Sequence, residues 1–162
     1  MDRGLTIRSS RARFAVSVAA ESPRAGRLNS GVRPQKQMSA YLWVGLGGFL
    51  GSIARYSVAL LVPASATSRF PTATFIVNCL GCLLIGLLAG LSTRMSIPEH
   101  VRVFLITGIL GGFTTFSAFG LESVNLLRRG EFGFALLYVL GSVFVGLLAV
   151  WLGFRFASAA EA

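Results

Sequence analysis

Asn78, Thr114, Thr115, Ser117, Tyr138 and Ser142 are polar side chains set inside otherwise apolar runs, with Phe116 and Phe119 close by and Arg55 in an earlier run. A polar group in a lipid-facing helix is expensive, so it normally faces a partner or a wet path. Hydroxyls and an amide donate hydrogen bonds without carrying a negative charge. Phenyl rings three residues apart share one helix face and present a positive edge. Together these types suit a small anion that exchanges its hydration for donors and ring edges. Each also has a plainer role. Asn78 could clip two helices, Arg55 could snorkel to the interface, Tyr138 could anchor at it, and FxxF could be lipid-facing bulk.

The stretch GGFTTFSAFG, residues 111–120, adds a backbone feature. Gly111-Gly112 followed by Thr114-Thr115 weakens a helix where lipid demands an unbroken one, and freed carbonyls must be satisfied by protein, water or an ion. Unwound carbonyls at mid-depth are a means of holding cations.

Four apolar runs carry these residues: Ala40–Val62, Thr72–Leu91, Val101–Leu127 and Phe132–Phe154. Each reaches about 20 residues, the length that crosses the hydrocarbon core. Only 13% of the chain is charged and its mean hydropathy is +0.71, against about 25% charged in soluble domains. The expectation is an all-α membrane protein with four transmembrane helices per protomer and the third helix broken. Residues 39–157 would form one membrane domain, followed by a tail at 158–162.

No nucleophile–base pair or metal-ligand cluster stands out, so an enzyme is not expected. Cys79 and Cys82 form a CxxC inside the second run, where apolar surroundings suppress thiol reactivity, and both read as packing residues. The formal charge of +9 is concentrated. Residues 1–38 hold eight Lys/Arg against Asp2 and Glu21, and this segment is expected to be disordered and dispensable. It reads as translation upstream of a true start at Met38, with a transit peptide or a basic cytoplasmic tail as the other readings. No nucleic-acid partner is implied.

Counted from Met38, Arg94, Arg102 and Arg155 lie on one side of the membrane and Arg69, Arg128 and Arg129 on the other. A balanced chain has no strong insertion preference, so an antiparallel homodimer is a candidate. Small residues at four-residue spacing, such as Gly47/Gly51 and Gly86/Gly90, would serve such packing, either between protomers or within one.

GGFLGSIARY (47–56), TFIVNCLGCLLIG (74–86) and GGFTTFSAFGLE (111–122) resemble, in order and spacing, three signatures of the CrcB/Fluc fluoride channels. The resemblance covers about residues 40–155. It implies a dual-topology antiparallel homodimer in the cell inner membrane, with two fluoride pores each lined by both subunits, that passively exports cytoplasmic fluoride and limits its toxicity. By position it makes Asn78 a pore-side donor and Phe116 and Phe119 the rings lining the path. Thr115, Ser117, Tyr138 and Ser142 become a polar track, and Arg55 a vestibule cation. The carbonyls of Gly111 and Thr114 from both subunits would cage a structural Na⁺. Two positions depart from the family pattern: Ala118 replaces a hydroxyl residue and Gly120 stands where serine is common. Glu122 matches a family acid that needs a proton or a partner, for which Arg128 is a guess. The alternatives are a proton-coupled small multidrug exporter and a non-transporting scaffold. The first expects a carboxylate in the first span, where this chain has none, and the second gives no reason to gather polar residues.

Overall fold

A computed structural model describes residues 34–62 and 69–159. The expectations for the extension up to residue 33 and for the end of the tail, 160–162, lie outside these residues. Five elements follow in order: α1 (Pro34–Leu61), α2 (Thr72–Ser92), α3 (99–113), α4 (Phe116–Arg128) and α5 (Phe132–Ala159). α1 takes in residues 34–38, which the sequence placed in the extension. α3 begins with Glu99–Arg102, widens into a π-helix over Val103–Leu110, and ends with Gly111–Phe113.

Four stretches are long and apolar enough to cross a membrane: Met38–Leu61, Thr72–Ser92, Glu99–Arg128 and Phe132–Ala159. The chain is therefore a multi-pass, all-helical membrane protein. Its exposed surface agrees, with Leu136, Phe144 and Leu147 among many large apolar side chains turned outward.

Contacts between elements define two ends of an up-and-down bundle. Trp43 meets His100 at one end, where Arg94 also donates to the Ser158 carbonyl. Arg69 meets Glu131 at the other. The helices pack as two pairs, α1 with α3 and α2 with α5.

Small residues make both pairings possible, because no hydrophobic effect drives helices together in lipid. A Cβ on Gly47 would lie 2.5 Å from the Phe104 carbonyl oxygen, and one on Gly51 would overlap the Ile109 carbonyl. Across the other seam, a Cβ on Gly86 would overlap the Val150 carbonyl, and one on Gly90 would lie 2.7 Å from that of Phe154. These glycines pack helices against each other within the protomer.

α4 closes on a glycine turn. Gly130 has φ +74°, its N–H donates to the Leu127 carbonyl, and the Glu131 N–H donates to that of Leu126. This reciprocal pair satisfies the last carbonyls of the helix and fixes Glu131 at the start of α5.

Candidate functional site

The third span changes conformation at two residues. Thr114 (φ −79°, ψ 159°) and Thr115 (φ −150°, ψ 115°) are extended, between α3 and α4. Asn78 holds them from α2: its Nδ2 donates to the Thr115 carbonyl (3.0 Å) and its Oδ1 accepts the Thr115 N–H (2.9 Å). An amide side chain so placed acts as a surrogate peptide group and satisfies both polar atoms of one extended residue. Thr115 Oγ1 then caps α4 by accepting the Ala118 N–H at 3.3 Å.

This pattern has a further consequence. In a continuous helix the Thr115 N–H would serve the Gly111 carbonyl and the Ala118 N–H would serve that of Thr114. Both donors are diverted here, to Asn78 and to Thr115 Oγ1. The Gly111 and Thr114 carbonyls, the pair the resemblance assigns to Na⁺, are among those that lose helical donors at this break.

Asn78, Gly111, Thr114, Thr115, Phe116, Phe119 and Ser142 line one cavity of about 400 Å³, whose remaining wall is mainly apolar. Cys82 sits in that wall. Ser142 Oγ is buried there with no hydrogen-bond partner among the described residues. Phe116 and Phe119 stack at 5.6 Å between centroids, and Phe116 is 84% exposed in the single protomer.

Three expected site residues lie off this cavity. Ser117 is exposed, 3.4 Å from Thr115 Oγ1. Arg55 is half-buried on α1, and no hydrogen bond or ion pair holds it among the described residues. Tyr138 is fully buried behind Phe119, ring to ring at 5.1 Å.

Tyr138 leads to contacts that the spacing did not suggest. Its hydroxyl donates to Glu122 Oε2 at 2.7 Å, and Thr74 Oγ1 donates to Glu122 Oε1 at 2.8 Å. Both carboxylate oxygens thus have neutral donors within the bundle, and Arg128, the partner guessed from sequence, is not among them. Thr74 went unselected because its partner is 48 residues away; only a hydroxyl one turn before Asn78 hinted at it. At Ala118 the backbone N–H still reaches Thr115, so α4 is capped without the missing hydroxyl. Gly120 has open space where a side chain would start.

Comparison with known proteins adds the following. Residues 42–154 match the family described as CrcB-like protein, Camphor Resistance (CrcB). A fluoride-specific ion channel FluC of Methylobacillus flagellatus is 50% identical over 120 residues, covering 73% of this chain and 94% of that protein. The same-named protein of Thermus thermophilus is 48% identical over 122 residues, 75% of this chain and 98% of its own. That of Flavobacterium psychrophilum is 44% identical over 117 residues, 72% and 94% respectively.

Proposed function

The chain belongs to the CrcB family, and from that membership together with the geometry of the groove we propose that it is a passive, fluoride-selective ion channel of the cell inner membrane. It lets cytoplasmic fluoride escape and so limits its toxicity. The observation that carries this reading is the convergence, on one cavity beside an extended pair of residues, of an amide, hydroxyls and two phenyl rings.

Fluoride is small and strongly hydrated, so a path selective for it must replace water with closely spaced donors and must reject larger anions by size. Asn78 spends one N–H on the Thr115 carbonyl and has a second to offer an anion. The edges of Phe116 and Phe119 carry partial positive charge without a full charge that would trap the ion. Ser142 Oγ, which has no hydrogen-bond partner among the described residues, can add a donor further along. Tyr138 and Thr74 hold the Glu122 side chain in place by hydrogen bonds. Arg55, half-buried and without a partner among the described residues, suits the vestibule as a cation that raises local anion concentration. Thr115 and Ser117, with oxygens 3.4 Å apart, continue the hydroxyl track.

The working unit in this reading is an antiparallel dual-topology homodimer. The few polar groups that open on this cavity at mid-span are costly against hydrocarbon, and Phe116 at 84% exposure stands where a second copy would cover both. Counted from Met38, the three-against-three arginine balance lets the two copies insert in opposite senses. The third span then acts as a broken helix. The carbonyls of Gly111 and Thr114, deprived of helical donors, fit a hard cation such as Na⁺, which when bound would supply positive charge at the interface. Gly111 is exposed in the single protomer, as an interface ligand must be.

A fluoride-sensitive bacterial strain expressing the chain should grow at fluoride concentrations that stop the strain alone. The same chain truncated before Met38 should protect equally. Absence of protection by the well-expressed full chain would contradict the export role.

A further inference from the structure

Asn78 is one of two holds that α2 places on the extended pair. Gly81, three residues on and therefore on the same helix face, is buried and lines the same cavity. A Cβ built on Gly81 would overlap the Thr114 Cγ2 methyl. The next atoms it would meet, Thr114 Cβ and Phe113 Cδ1, both lie at 3.7 Å, an ordinary contact distance. One methyl group of Thr114 therefore occupies the space that any side chain at this position would need.

That methyl is not free to turn away. Thr114 Oγ1 donates to the Leu110 carbonyl at 2.8 Å, and the Thr114 N–H donates to the same oxygen at 3.0 Å. A threonine carries both branches on Cβ, so fixing its hydroxyl fixes its methyl. The chain is held again one residue on, where Asn78 takes both polar backbone atoms of Thr115. The peptide that joins the two threonines carries the Thr115 N–H, bound to Asn78, and the Thr114 carbonyl, whose helical donor at Ala118 is diverted to Thr115 Oγ1. The direction of that carbonyl is thus set from both sides, by the Gly81 seat and the Leu110 bond before it and by Asn78 after it. A Cβ at position 81 would have to break the Leu110 bond or shift the backbone at Thr114.

We infer that Gly81 is a positioning residue for the extended pair: its bare α-carbon seats the Thr114 methyl and so sets the direction of the Thr114 carbonyl beside the cavity. The inference deepens the channel reading and rests on it for its consequence in flux. It gives a task at the site to a residue with no polar side chain of its own.

The test is a cycle of variants of the full chain, read first as initial fluoride efflux from liposomes. Gly81→Ala should slow efflux about tenfold, a coupling on the scale that contacting residues show. Alanine is the better helix former, so the loss cannot arise in α2 alone. Thr114→Ser deletes only the methyl that a Cβ at position 81 would meet, and it keeps the hydroxyl. The double variant should therefore run within about twofold of Thr114→Ser alone, the tolerance of sites that no longer interact. For contrast, Gly86→Ala would press on the Val150 carbonyl of α5, and Thr114→Ser should not repair it; repair of both would overturn the inference. The second readout is the thermal midpoint in detergent, in Na⁺ and in N-methylglucamine. Gly81→Ala should lower the midpoint and shrink its rise in Na⁺, and combined with Thr114→Ser it should do neither. Equal losses from Gly81→Ala with and without Thr114→Ser would overturn the inference, and so would a double variant that does not fold. Where Thr114→Ser alone does not conduct, the midpoints decide. Original protein that passes no fluoride would overturn the channel reading, and the midpoints would still decide the seat of Thr114.

Discussion

At the residue scale, Asn78 has two tasks: it satisfies both backbone atoms of Thr115 and keeps one N–H for the cavity. Asn78→Leu should therefore lower stability as well as flux. Two backbone groups lose their partners, and an unpaired buried polar group costs about 1–3 kcal/mol. The expected result is a lower midpoint of detergent-solubilised thermal unfolding and at least a tenfold drop in fluoride efflux. A stable, fully conducting variant would contradict both roles. Phe116→Ile separates conduction from folding, because the side chain is 84% exposed in the protomer and supports little of its core. Flux should fall at least tenfold while the oligomer elutes unchanged; unaltered flux would remove that ring from the path. That Asn78 and the FxxF pair stand out was legible because an amide and hydroxyls are rare at mid-span, and they do line one cavity. The Thr74–Glu122–Tyr138 set was not, because its members lie 48 and 16 residues apart.

At the element scale, apolar length alone placed the helices. The expected Thr72–Leu91 and Phe132–Phe154 became Thr72–Ser92 and Phe132–Ala159, with identical starts and later ends. Composition marked 111–115 as the weak stretch, yet Gly111 and Gly112 stay helical and Thr114 and Thr115 are the extended pair. The reason lies on another helix, since Asn78 supplies the bonds that make extension affordable at Thr115. The π-helix before it, Val103–Leu110, had no signature in the spacing. Which glycines face which helix was likewise illegible, because small-xxx-small repeats carry no partner. That pairing is now testable. Gly51→Val would drive a side chain into the Ile109 carbonyl and separate α1 from α3. Overpacking of this kind costs on the order of 1–3 kcal/mol, so the purified protein should unfold at lower temperature or lose its single elution peak. Unchanged thermal stability would place that glycine elsewhere.

At the scale of the whole molecule, the proposed channel calls for a second protomer. The cavity of one protomer opens beside an exposed phenyl ring and an exposed Gly111, and its loop and terminal arginines, counted from Met38, are balanced between the two ends. Two oppositely inserted copies would resolve all three features together. The central claim is nevertheless about the ion. Purified full chain in liposomes loaded with equal fluoride and chloride should release fluoride passively, without a proton gradient or nucleotide, at least a hundredfold faster than chloride. Release of both anions at equal rates, or of neither, would contradict the account.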